Sequence, residues 1–292
     1  MVISIYITAL ITFLSAMLAM SFYTLFERKA LGYFQNRKGP NKVSLSGVPQ
    51  PFADAIKLFS KEQLEPKKAN NTPFMISPIT MMNKYGVLTF LVVSSLTVYG
   101  TLIAGWASNS KYALIGALRS VALTISYEVA MTLILLTPLC IFVSFNMNNF
   151  NQYKLSIPLF LFFHIFYMWL VSILAETSRT PFDFAEGESE LVSGFNTEFS
   201  GSLFAFIFMA EYTSIIIMSL FTSVFFMPAI FDLFCTLHTT SIQTMIIAFG
   251  FIWVRASFPR MRYDKLMNLT WKTFLPMSLV VLMLTIPTSS LL

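Results

Sequence analysis

Three ionisable side chains lie inside long apolar runs: Arg119, Glu128 and Glu211. A charge at the middle of a bilayer costs about 2.5–3.5 kcal/mol even on the mildest scale, so each needs a chemical reason. Glu128 sits near the middle of its run, and Glu211 sits ten residues into another. Arg119 precedes Glu128 by nine positions. At about 100° per residue that leaves them about half a turn out of phase, so they cannot pair on one straight helix. Each must meet a partner on another helix, another subunit or a file of water. One reading is a buried interhelical hydrogen bond. The other is a proton relay, because a carboxylate in a polar file can take up a proton and pass it on.

A second group of acids is packed into residues 176–198, where Glu176, Asp183, Glu186, Glu188, Glu190 and Glu198 face only Arg179 as a counter-charge. Six carboxylates in 23 residues repel one another. They alternate with Phe182, Phe184, Leu191, Val192 and Phe195, whereas a solvated loop mixes in Gly, Ser and Lys. The pattern predicts a loop packed against other structure, its carboxylates facing an enclosed watery space. Acidic residues contribute little to membrane orientation, so topology alone does not account for them. Basic residues cluster elsewhere. Residues 27–68 hold nine basic and four acidic groups. Arg255, Arg260, Arg262, Lys265 and Lys272 face Asp264 in the stretch 255–272. Basic loops follow from the preference of Lys and Arg for the inner side of a membrane, so the pI near 9.1 does not imply nucleic acid.

The remaining chemistry is narrow. Two cysteines, Cys140 and Cys235, and two histidines, His164 and His238, cannot build a four-ligand iron–sulfur or structural zinc site within this chain. A haem held by the two histidines is allowed by counting alone. The plainer expectation is one buried, hydrogen-bonded histidine in an apolar run and one in a loop.

The elements that position these groups follow from composition. Of 292 residues, 56% are hydrophobic and 11% charged, against about 25% charged in soluble chains. An ordinary soluble domain, a disordered chain and a disulfide scaffold are excluded. Seven apolar runs stand out, at 3–26, 85–105, 112–145, 155–175, 201–227, 240–257 and 271–289. Each approaches the ~20 residues that cross a bilayer, and backbone in lipid must satisfy its own hydrogen bonds, so the runs are helices. The predicted fold is all-α: a polytopic transmembrane helix bundle with seven clear spans, forming a single integral-membrane domain over 1–292. The run begins at Val2 with no basic stretch before it, so no presequence is read and the spans themselves direct insertion. Pro51 opens a short amphipathic helix over 51–62, with Phe52, Ala55, Ile56 and Phe59 on one face. It reads as a helix lying in the headgroup plane or as a gate over a lipophilic substrate.

Several segments together resemble one family. They are Glu27-Arg28-Lys29 with Leu31-Gly32, Arg37-Lys38-Gly39-Pro40-Asn41, and Ala53-Asp54-Ala55-Ile56-Lys57. Further on come Gly105-Trp106-Ala107-Ser108-Asn109-Ser110-Lys111-Tyr112, Ala117-Leu118-Arg119 and Ser126-Tyr127-Glu128. The longest is Ala175-Glu176-Thr177-Ser178-Arg179-Thr180-Pro181-Phe182-Asp183, continuing from Glu186 through Gly194. The last is Phe258-Pro259-Arg260-Met261-Arg262-Tyr263-Asp264. The chain resembles the chain 1 family of the mitochondrial NADH–ubiquinone oxidoreductase, respiratory complex I, over nearly its whole length.

That resemblance implies a core membrane subunit of a proton-pumping enzyme in the mitochondrial inner membrane. It would frame the ubiquinone chamber and begin the acidic proton path, while cluster-bearing subunits deliver the electrons. It implies Arg28, Asp54, Lys57, Arg255 and Arg260 at the quinone chamber. It implies Glu128, Glu176, Asp183, Glu186, Glu188, Glu190 and Glu211 along the proton path, with Arg119 as a buried charge. The expected partners are the other complex I subunits, ubiquinone and phospholipid, with no metal or iron–sulfur cluster in this chain and no nucleic acid. Loops 27–84, 176–200 and 255–270 are expected on the matrix side. The family pattern has eight spans, however, and about twenty residues are missing after Lys68. With seven spans the two basic loops fall on opposite sides, so a shortened, protein-covered crossing is expected at 66–84. Two alternatives remain. A stand-alone ion or proton transporter would usually carry internal repeats, and none is found. A membrane-hydrogenase homologue is disfavoured by the mitochondrial character of the chain.

Overall fold

The computed structural model describes residues 2–62, 87–142, 163–184, 187, 192–227 and 236–291. All regular structure among them is helical. The chain's internal contacts gather in two units, one of residues 1–64 with 199–216 and one of 65–198 with 217–292. Five helices among the described residues are long and apolar enough to cross a membrane: Leu10–Phe34, Phe90–Ala107, Lys111–Ile141, Gly201–Phe226 and Tyr263–Pro287. The polytopic helical reading therefore stands. The segment 66–84, on which the parity of the spans depends, falls outside the described residues.

In the first unit, α1 (Val2–Phe34) runs eight residues beyond the predicted 3–26. Glu27, Arg28 and Lys29 are thus helical, because nothing in that turn breaks the ladder of backbone hydrogen bonds begun in the apolar stretch. The helix ends where Asn36 takes φ 54°, a left-handed conformation that Asn tolerates, and Arg37 N–H donates to the Gly32 carbonyl at 2.9 Å. The chain then folds back on α1. A Cβ added to Gly39 would lie 2.8 Å from the Lys29 Cα, so the Arg37-Lys38-Gly39-Pro40 motif needs a residue without a side chain at this approach. Helix α2 (Gln50–Ser60) follows, with Pro51 in its first turn, where a missing N–H costs nothing. Phe22 and Phe52 meet edge to face at 6.0 Å, tying α2 to α1.

The second unit holds α3 (Val87–Ala107), α4 (Lys111–Phe142) and α5 (Phe163–Glu176). Helix α6 (Gly201–Phe226) belongs to it from residue 217 onward. Then come α7 (Thr236–Ser257), α8 (Tyr263–Leu269), a π-helical turn (Thr270–Phe274) and α9 (Leu275–Leu291). Helix α4 is central and packs against α3, α5 and α9. Small residues permit this: a Cβ on Gly105 of α3 would collide with the Ala117 side chain of α4. Tyr127, Ile134, Leu135, Trp169 and Ile173 are sealed in the resulting core. Buried hydroxyls turn back on their own helices, as Ser120 does to the Ala117 carbonyl (2.9 Å) and Ser172 to that of Trp169 (2.8 Å). That is the solution available where no water reaches. Outward faces stay apolar, with Leu10, Leu14, Val280, Met283 and Leu284 exposed.

Two details differ from the sequence reading. The second half of the basic stretch 255–270 is helical, since Tyr263–Leu269 forms α8 and leads into the π turn. His238 lies in α7 rather than a loop, and His164 is exposed near the start of α5 rather than buried.

Candidate functional site

Arg28 and Asp54 are 26 residues apart and meet: Arg28 Nη1 lies 2.7 Å from Asp54 Oδ2. Their helices bring them together, Arg28 from the charged end of α1 and Asp54 from the second turn of α2. Gln50 Nε2 donates to Asp54 Oδ1 at 3.0 Å, so both carboxylate oxygens are engaged. The pair borders a cleft of about 410 Å³ bounded by α1, α2 and the first part of α6. Lys57 and Lys61 also line it, so three cations face one carboxylate, while Met20, Phe204, Phe208 and Tyr212 supply apolar walls. The rings of Tyr23 and Tyr212 meet at 6.0 Å and those of Phe59 and Phe206 at 6.2 Å, fixing α6 to α1 and α2. Helix α2 contributes Asp54, Ala55, Lys57, Leu58 and Phe59 to the cleft and leaves Phe52 and Ile56 exposed away from it. The cleft side of the helix is thus mixed, with charged and apolar groups side by side. The cleft is within the usual size range for small-ligand sites, about 300–1,000 Å³, with a few polar groups on an apolar wall.

The buried acid Glu128 lies in the second unit, on α4. Its side chain lies beside the hydroxyl of Ser94 of α3. The Ser94 hydroxyl also lies 3.0 Å from the Leu91 carbonyl. A hydroxyl donates one proton, so Ser94 can serve either state of the acid. It donates to an ionised Glu128, or accepts from a protonated one while donating to Leu91. Glu128 Oε1 is buried and has no hydrogen-bond partner among the described residues. Sequence reasoning placed Glu128 but missed Ser94, because nothing in the sequence registers α3 against α4.

The acidic stretch is stitched to its surroundings where it is described. Arg260 Nη2 donates to Asp183 Oδ2 at 3.0 Å, and both groups are mostly buried. Met261 N–H donates to the Pro181 carbonyl at 3.1 Å. Phe182 and Phe184 are buried, as the alternation of acids with aromatics predicted. At the far end, the 3₁₀ turn Gly194–Asn196 packs on α4. A Cβ on Gly116 would sit 2.8 Å from the Gly194 Cα and 3.0 Å from the Phe195 N, both backbone atoms. Gly116→Val is therefore expected to overpack this contact by about 1–3 kcal/mol. Its measure is the melting temperature of the purified assembly, which should fall; an unchanged value would refute the close contact.

The sequence-derived site residues divide between the units. Arg28, Asp54 and Lys57 share the cleft of the first, and Glu211 lies half-buried on the α6 segment of the same unit. Glu128, Arg119, Glu176, Asp183, Arg255 and Arg260 belong to the second, with Arg119 half-buried on α4 and Glu176 closing α5. Glu186, Glu188 and Glu190 lie outside the described residues. Among the described residues no group of three His, Cys, Asp or Glu is placed to hold a metal ion.

Comparison with known proteins agrees with this architecture. A family model described as NADH dehydrogenase matches residues 7–286. A protein of Aedes aegypti named NADH-ubiquinone oxidoreductase chain 1 is 49% identical over 292 residues, covering 94% of this chain and 92% of that protein. Proteins of the same name from Hippopotamus amphibius and Heterololigo bleekeri are 49% and 48% identical, the first covering 91% of both chains and the second 95% of both.

Proposed function

Because this chain belongs to the NADH dehydrogenase family, we propose that it is the chain 1 membrane subunit of a NADH–ubiquinone oxidoreductase of the mitochondrial inner membrane. In this role it holds ubiquinone in the cleft between α1, α2 and α6 and passes protons along its buried acids. The observation that carries the reading is the cleft: apolar walls for an isoprenoid tail, and Arg28, Asp54 and Lys57 for a polar headgroup. Its neighbour α2, with an apolar face toward lipid, suits a substrate arriving from the bilayer. Ubiquinone is the substrate, and its reduction takes electrons from a partner subunit. This chain supplies shape, cations and acids. The other subunits of the complex and phospholipid are its partners.

The chemistry needs two protons per quinol formed. Arg28 and Lys57 stabilise negative charge developing on a quinone oxygen as electrons arrive. Closely spaced carboxylates then couple protonation onward, since a proton gained by one changes the affinity of the next. Glu128, with Ser94 as a hydroxyl that serves both its states, is the buried acid best equipped for such a step. Glu176, Glu211 and the acids at 186, 188 and 190 are proposed along the same path, and Arg255 and Arg260 beside the chamber.

The ion pair of Arg28 is largely exposed and contributes at most about 1 kcal/mol to stability. Arg28→Gln is therefore expected to leave assembly intact while raising the KM for a short-chain ubiquinone about threefold, which corresponds to about 0.7 kcal/mol. A KM equal to that of the unsubstituted enzyme would remove Arg28 from the quinone site.

A further inference from the structure

Asp183 and Arg260 come from stretches 77 residues apart and form a mostly buried ion pair at 3.0 Å. Two further contacts run alongside it. The Met261 N–H donates to the Pro181 carbonyl, and Phe184 meets Tyr263 edge to face at 6.1 Å. Residues 181–184 are thus joined to residues 260–263 by charge, by backbone and by ring. On their other side, the ring of Phe182 lies 6.3 Å from that of Tyr127, the residue before Glu128 on α4. Tyr127 is fully buried and also meets Phe274 of the π turn, at 6.4 Å. A continuous set of contacts therefore leads from the basic stretch, through Asp183 and Phe182, to the α4 turn that carries Glu128.

We propose that the Arg260–Asp183 pair is a positioning latch. It sets the start of the acidic stretch against α4 so that the Tyr127–Glu128 turn is held in register for proton transfer. Asp183 is then an anchor rather than a proton carrier, and Arg260 is a positioning residue that acts through Asp183 rather than by touching quinone. This rests on the proposed function for the reaction it serves, but not for the pairing itself. A carboxylate held by a guanidinium at 3.0 Å makes a charge-assisted hydrogen bond of defined geometry, which suits an anchor. The contacts of Met261 with Pro181 and of Phe184 with Tyr263 hold the same two segments in that geometry.

The test uses the assembled complex carrying Arg260→Gln, Asp183→Asn, the two together, and the charge exchange of Arg260→Asp with Asp183→Arg. Complex abundance on native gels and NADH oxidation by ferricyanide report assembly independently of quinone. Each single variant is expected to lower quinone-linked kcat about three- to tenfold with KM for quinone changed less than twofold. The neutral double variant should be no slower than the slower single, and the exchange should recover at least half of the lost kcat. Arg260→Lys, which keeps the charge, covers the case of an exchange that does not assemble, and should retain most of the activity. A raised KM with unchanged kcat would overturn the proposal by placing Arg260 against the quinone. Multiplying losses in the neutral double variant would overturn it by showing that the two residues act separately. An assembled exchange variant without recovery would overturn it by making Asp183 itself the proton carrier. The pairing is also read without quinone, from maleimide labelling of Val192→Cys in the same assemblies. Faster labelling in both single variants and not in the exchange supports the latch, and equal rates in all four oppose it. If the quinone reading alone is at fault, this labelling pattern persists while cleft substitutions leave the KM for quinone unmoved.

Discussion

Replacing Glu128 by Gln is expected to lower quinone-linked turnover at least about tenfold while the complex still assembles, since a positioned acid–base group commonly supplies 10²- to 10⁴-fold. The amide keeps the shape of the carboxyl and can still hydrogen-bond Ser94, so packing on α4 is preserved. It cannot carry a proton. The Glu128 Oε1 that lacks a partner among the described residues becomes an amide atom in the same place, so the cost falls on transfer rather than on folding. Turnover with a short-chain quinone, normalised to complex abundance, is the measurement. Full activity would remove Glu128 from the proton path and leave it an interhelical hydrogen-bonding group.

The second large effect is expected from closing the cleft. Ala55 lines it from α2 and is half-buried, so an indole there projects into the 410 Å³ space rather than into a packed core. Ala55→Trp should raise the KM for ubiquinone at least about tenfold, equivalent to about 1.4 kcal/mol of lost binding, with little change in the amount of complex. NADH oxidation by ferricyanide should be untouched, because that reaction needs no quinone in this chain. An unchanged KM would mean that quinone travels elsewhere.

Much of the architecture was legible because lipid makes apolar length decisive. The runs at 85–105, 112–145 and 201–227 return, among the described residues, as α3, α4 and α6, with their described ends shifted by a few residues. The ends moved where a charged turn continued a helix, as at Glu27-Arg28-Lys29, because charge at the membrane surface does not break helical hydrogen bonding. The run at 240–257 is less clear: α7 covers it but carries Thr239, Thr240, Ser241 and Gln243 in its first turns, and is not among the five described helices apolar enough to span. Buried acids were recognisable singly, since an ionisable group in an apolar run is rare. Their partners were not. The pairing of Asp183 with Arg260, the approach of Ser94 to Glu128 and the packing of Tyr127 against Phe182 all join segments far apart in sequence. The amphipathic pattern of α2 also left open which of its residues line the cleft, where Ala55 and Phe59 join Asp54 and Lys57.

On the proposed function, ubiquinone occupies the cleft between α1, α2 and α6. The most direct test is photolabelling of the intact complex with an azido-ubiquinone, followed by peptide mapping of this chain. Label is expected within residues 20–28, 51–61 and 204–212, displaced by excess ubiquinone and lost in Ala55→Trp. Label confined to other segments, or label in the cleft that excess ubiquinone does not displace, would contradict it.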